Sequence, residues 1–200
     1  MRTLIYLSAG ILLVFYLIQK AMAAANGKVE RQPFRLISRE GKFELRDYPS
    51  AIMATVHSPR EGEGRSTNSN FRRLAGYIFG GNASSEKIAM TAPVHMSRTE
   101  QGNTMQFVMP SSYDMKDLPR PLDPSITLDR SEGGLYAAVV FGGFADEKTT
   151  NEKERELKAW LDKKNFDIVG PVELLGYNAP YEILGRRNEV LVKVVERKAP

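Results

Sequence analysis

The 200-residue sequence contains no cysteine. That excludes a disulfide, a thiolate nucleophile, a cysteine-held metal and an acylated lipoprotein N-terminus. Only two histidines are present, His57 and His95, so a histidine-rich metal site is excluded too. Neither stands at a readable spacing from a second ligand or an orienting carboxylate. A dominant charge is also missing. Beyond the first 25 residues 26 basic side chains face 24 acidic ones, and a net +2 is too mild to point to nucleic acid. No serine or threonine is spaced from a base as a catalytic motif; Ser111, Ser112, Thr149 and Thr150 fall in loops, and Asp114 and Asp117 read as solvated. No catalytic or metal residue is assigned on these grounds.

The first 25 residues lack acids altogether. Arg2 precedes an apolar run over 4–18, followed by Gln19, Lys20 and the small residues 21–25, AMAAA. A positive start, a short apolar core and an A-x-A site read as a secretory signal peptide. The competing reading is an uncleaved membrane anchor, the run being shorter than the roughly 20 residues of a spanning helix unless the alanines extend it. The expected location is exported or periplasmic, with membrane contact only through this segment.

The chain as a whole has an ordinary globular composition, 42% hydrophobic and 26% charged. Residues 26–34 are polar and read as a linker before a domain over 35–198. Residues 43–48 (FELRDY) and 51–56 (AIMATV) read as strands. Residues 58–70 read as a loop, rich in Gly, Ser and Asn. Phe71, Leu74, Ala75 and Ile78 then fall on one helical stripe that stops at Gly80 and Gly81. Residues 87–96, KIAMTAPVHM, alternate, with Ile88, Met90, Ala92, Val94 and Met96 on the core side and Pro93 forcing an edge, a bulge or an end. Residues 105–109 return as a hairpin strand. A proline-rich connector over 115–124 leads to strands at 126–129 and 135–141, a helix over 147–164, and strands at 172–175 and 190–195.

The order repeats. Phe43 aligns with Ile126 and Phe71 with Glu154 at an offset of 83; Leu74 falls over Leu157 and Tyr77 over Trp160. Ile88 aligns with Val172 at 84, and Met105 with Val190 at 85. Element order at a near-constant offset marks an internal duplication. The expected fold is α+β: two ββαββ-type halves, about 43–110 and 126–195, forming a distorted β-barrel flanked by two helices.

Binding has more support than catalysis. Of eight methionines, Met53, Met90, Met96, Met105 and Met109 fall in strands, where they either fill the core or meet a flat ligand. Residues 176–189, GYNAPYEILGRRNE, form an apolar loop with two tyrosines and a paired Arg186–Arg187. Such a loop either covers a ligand and grips its carboxylates or packs on the barrel with its arginines in solvent. Arg72 and Arg73 on the first helix add basic charge.

Several strings resemble the SOUL haem-binding family: KIAMTAPV at 87–94, FVMP at 107–110, FGG at 141–143, GYNAP at 176–180 and GRRNEV at 185–190. The matches run from about Phe34 to Val195. The resemblance implies two repeats forming a distorted barrel flanked by two helices. It also implies non-catalytic binding of haem or a related tetrapyrrole, a small hydrophobic anionic ligand, as carrier or buffer. Carried onto matching positions, the ligand residues are Phe71, Arg72, Leu74, Ala75 and Ile78 with Tyr177, Tyr181, Ile183, Arg186 and Arg187. The alternative is an enzyme, or a sensor of another small hydrophobic ligand, on the same duplicated scaffold, which resembles bacterial effector-binding domains. Its buried acid would be Glu173 or Glu182.

If residues 1–25 lie outside the fold, a chain beginning at residue 26 stays soluble and unfolds cooperatively in urea. Aggregation of that chain, while the full chain folds in detergent, would place the leader inside the structure.

Overall fold

A computed structural model describes Val14 and residues 16–18, 29–59, 63–179 and 182–197. After a two-residue strand, β1 (Glu30–Arg31), come β2 (Arg35–Glu40), β3 (Phe43–Tyr48) and β4 (Ile52–Ser58). Helix α1 (Glu63–Ile78) leads to β5 (Thr91–Ala92), β6 (Val94–Thr99) and β7 (Gly102–Val108). The second half holds β8 (Ile126–Arg130), β9 (Gly134–Gly142), α2 (Glu147–Lys163), β10 (Phe166–Ile168), β11 (Glu173–Gly176) and β12 (Arg187–Glu196).

The sheet runs β2-β3-β9-β12-β11-β6-β7-β4-β8, with β10 added to β12 and all pairings antiparallel. Between β3 and β8 the order is a palindrome of the duplication. The third strands of the halves, β6 and β11, meet at its centre, where Met96 faces Leu174 and His95 faces Leu175. The first strands are exchanged: β3 pairs with β9 of the second half, and β8 pairs with β4 of the first. The two short connections before β4 and β9 touch, Ser131 N donating to Ala51 O (2.8 Å) and Ala51 N to Ser131 Oγ (2.9 Å). A side chain at Gly133, whose φ is +66°, would lie 2.5 Å from Tyr48 O, so the crossing requires glycine. The α+β class, the duplicated halves and the flanking helices are as expected. The barrel, however, is open: it is a curved sheet with free ends at β2 and β8.

Both helices cover one face. Leu74, Tyr77 and Ile78 of α1 pack on Ile52, Ala54, Val56, Met105 and Phe107. Leu157 and Leu161 of α2 pack on Leu45, Ala137, Val139, Val190, Val192 and Val194. Asp146 caps α2, its Oδ1 accepting from Thr149 N at 2.7 Å.

Three local expectations change. The stretch over 58–70 read as a loop is helical from Glu63; its serines and asparagines are poor helix formers, and packing of the next two turns overrides them. The supposed linker carries β1, which lies parallel to β5, and a buried Gln32. The strand read at 87–96 is interrupted at a cis Ala92–Pro93 bond, since proline has no N–H for the ladder. Strands β2 and β10 had no period-two signal strong enough to name them. Ile88 is in the core, whereas Met90 only packs against its edge.

Leu74 is fully buried, so Leu74→Ala is expected to cost about 2–5 kcal/mol in chemical denaturation. Met90→Ala should cost clearly less. Equal losses would mean that the edge of this cluster is as tightly packed as its centre.

Candidate functional site

Strand alternation gives the sheet a second face that neither α1 nor α2 covers. Glu44, Arg46 and Tyr48 of β3 and Glu189 and Leu191 of β12 point to it. Sequence patterning assigns such charged residues to solvent, yet Glu44 is 3% exposed and Arg46 and Glu189 are 0% exposed. Arg46 explains this. Its Nη1 and Nη2 donate to the two oxygens of Glu189 at 2.5 and 3.0 Å, and its Nε donates to Glu44 Oε2 at 2.7 Å. Nη1 also donates to the Tyr48 hydroxyl (2.9 Å), and Phe34 lies 4.2 Å from the guanidinium carbon. Glu189 accepts further bonds from Arg187 Nε (2.9 Å) and Tyr177 OH (3.1 Å). Burial alone would raise the Glu189 pKa, but hydrogen bonds and charge from Arg46 and Arg187 outweigh it and hold it below the usual carboxylate range. Burial pushes the Tyr48 hydroxyl up to about 12.

Beside this network, where the halves meet, lies a cleft of about 100 Å³ lined by Gln32, Tyr48, Met53, His95, Tyr136 and Glu173 among others. His95 Nδ1 is 2.7 Å from Glu173 Oε2 and its Nε2 is 2.8 Å from Gln32 Oε1, an acceptor on each side of the ring. The volume suits a few waters and falls below the roughly 300–1,000 Å³ of small-molecule pockets. His57 shares this face of the sheet, its Nδ1 2.9 Å from Thr104 Oγ1.

The expected ligand residues divide into two places. On α1, Leu74 and Ile78 are buried beneath the helix and offer no surface, a correction to their assignment as ligand contacts. Phe71 is 36% exposed and packs edge-on against Phe107, with ring centroids 5.4 Å apart. Arg72 is exposed and Ala75 half-buried. Phe79 continues their stripe, its N–H bonded to Ala75 O (3.0 Å) and its side chain 64% exposed. Leu122, 60% exposed, sits alongside through its N–H bond to Gly81 O. Sequence reasoning missed both, although Phe79 stands four residues after Ala75 and was there to be read.

In the late loop, Tyr177 and Arg187 are committed to Glu189, the Arg187 guanidinium 5.0 Å from the Tyr177 ring centroid. Arg186 Nη1 donates to Ala179 O and Glu182 O. Neither arginine is the free propionate grip expected of it. Ile183 is exposed, and Tyr181 lies outside the described residues. Glu182 is a turn cap, accepting from Asn178 Nδ2 (2.9 Å) and Ala179 N (3.0 Å). Glu173 is held by His95. Among the methionines, Met105 and Met109 are buried in the core beneath α1, and Met53 is buried on the opposite face, where it lines the cleft.

A family model described as SOUL heme-binding protein matches residues 29–193. The chain is 32% identical over 161 residues to Heme-binding protein 2 of Homo sapiens, covering 75% of this chain and 77% of that protein. It is 28% identical over 180 residues to Heme-binding protein 1 of Mus musculus, covering 84% and 94% respectively. Among solved structures, an uncharacterized conserved protein from Listeria innocua superposes with a TM-score of 0.62 at 10% identity, covering 79% of this chain and 94% of that one. A protein described as a hydrolase from the same organism gives 0.58, also at 10% identity, covering 80% and 94%. These likenesses show a shared fold.

Removing one partner of a buried ion pair typically costs roughly 3–5 kcal/mol. Glu189→Gln is expected to destabilise by about that much at pH 7. Because the folded pKa of Glu189 is depressed, its contribution is present above the unfolded value of about 4.3 and is lost as pH falls below it. Urea midpoints from pH 7 to pH 3 should therefore converge for wild type and variant; a constant gap would remove Glu189 from the acid sensitivity.

Proposed function

The chain belongs to the SOUL heme-binding protein family, and on that premise we propose that it binds haem or a related tetrapyrrole without catalysis, as a carrier or buffer. The binding face in this reading is the outer stripe of α1, formed by Phe71, Ala75 and Phe79 with Leu122 beside it. The observation that carries it is an exposed apolar strip along the outer face of α1, bordered by the exposed Arg72. A flat macrocycle gains by covering such a surface, and its propionates need a cation at the edge. The cleft between the halves is too small for a macrocycle, and both histidines lie on the opposite face of the sheet from α1. Neither histidine is an iron ligand in this arrangement. The acids of the enzymatic alternative, Glu173 and Glu182, are both held in structural contacts.

We also propose that residues 1–25 take the chain to a membrane, either for export or as an anchor. The support is the order of Arg2, the apolar run and the small-residue stretch. Val14, Tyr16, Leu17 and Ile18 are helical and exposed, while no helix among the described residues is long and apolar enough to cross a membrane.

The test is haemin titration followed at the Soret band, at one fixed salt concentration. A hydrogen bond to a charged group is worth about 1.5–3 kcal/mol, so Arg72→Ala should weaken binding about ten- to a hundredfold. Phe79→Asp should weaken it as well, and His57→Ala and His95→Ala should leave it unchanged. Loss with Arg187→Ala but not with the α1 variants would move the site to the late loop. A wild type that never shifts the band would end the tetrapyrrole reading.

A further inference from the structure

The late loop is left without a ligand role once α1 takes the macrocycle. Phe144, Ile183 and Leu184 stand 59%, 48% and 44% exposed there. Arg186 joins them into one tip. Its guanidinium lies 4.9 Å from the Phe144 ring centroid, and its Nη1 donates to Glu182 O (2.6 Å) and Ala179 O (3.3 Å). Among the described residues, backbone carbonyls and a ring hold this cation rather than a carboxylate, and its buried Nε has no partner. Exposed aromatic and aliphatic side chains backed by a cation suit the interfacial zone of a bilayer with anionic headgroups.

The path of the N-terminus supplies the second observation. The chain enters the fold at β1 beside β5, with the Arg31 guanidinium 5.9 Å from the ring of Tyr177, the residue that opens the late loop. Residues 19–28 separate this entry from the exposed apolar side chains of Leu17 and Ile18. Ten residues span at most about 35 Å when fully extended. An N-terminal segment seated in a bilayer thus keeps the base of the late loop within about that reach of the bilayer.

We propose that the tip formed by Phe144, Ile183 and Leu184 dips into the surface of the bilayer that holds the N-terminal segment, with the Arg186 charge behind it facing anionic headgroups. This rests on residues 1–25 acting as an anchor. The absence of cysteine allows one fluorophore to be placed at will. Full-length Leu184→Cys, Leu17→Cys and Glu100→Cys are each labelled with bimane and reconstituted into phosphatidylcholine–phosphatidylglycerol vesicles containing doxyl-labelled lipids. Glu100 lies in the β6–β7 turn, at the end of β6 away from the late loop. The label at 184 should lose most of its emission to shallow doxyl groups, within about 5–10 Å of the headgroups, and little to deep ones. The label at 17 should be quenched by both, and that at 100 by neither. Quenching at 17 without quenching at 184 overturns the docked tip and leaves the anchor standing. Quenching at 184 without 17 removes the anchor and overturns the proposal with it, the loop then reaching the bilayer unaided. Emission unchanged at both ends the proposal, as does equal quenching at 100, which would mean that the whole body adsorbs.

Discussion

Arg46 and Glu189 are 143 residues apart in sequence and share a bidentate ion pair with no exposure to water. The arrangement of the uncovered face depends on it. Two charges removed from water are costly, and their attraction offsets that cost only where the geometry is good and every remaining lone pair and proton is used. Here Glu44, Tyr48, Tyr177 and Arg187 complete the set, and Phe34 closes over the guanidinium. The pair is therefore better described as a specification than as a source of stability. It fixes β3 and β12 on either side of β9, holds the base of the late loop, and draws residues 31–34 across the sheet.

That network marks where sequence legibility stops. Alternation in FELRDY marks a strand, and Phe43 and Leu45 on one of its faces pack toward α2. It was silent on Glu44 and Arg46, because a strand pattern records which face is apolar and assumes that the polar face is wet. What buries them comes from 143 residues away and from a segment read as a linker, and neither leaves a local periodicity. Helix α2 was legible because its apolar stripe and its cap agree. The first turns of α1 were not, since Ser, Asn and Gly speak locally for a loop. The duplication was legible from spacing alone, Leu74 and Leu157 both lying in the core.

The site residues follow the same division. Strings carried over from the family point to two segments but do not say which side chains of each face outward. Leu74 and Ile78 belong to the core and Arg187 to the ion-pair network, whereas Phe79, just beyond the helix, extends the outer apolar stripe. The protein thereby separates two kinds of surface: an apolar strip outside the helix layer, and a polar, nearly filled interior between the halves. A ligand on the first leaves the second undisturbed.

The exchange of first strands has an evolutionary consequence. Each half gives its opening strand to the other and receives one in return, so β4 and β9 each have one neighbour within their own half, β7 and β12, and find the other only across the repeat boundary. A solitary ancestral unit would have left that edge bare, with unsatisfied backbone groups inviting another copy. The palindromic order is what two such copies make when they close around a twofold axis with swapped strands. Fusion of their genes would then have turned a concentration-dependent assembly into an intramolecular one. It would also have freed the two copies to diverge, one helix toward an apolar outer strip and the other toward a charged one.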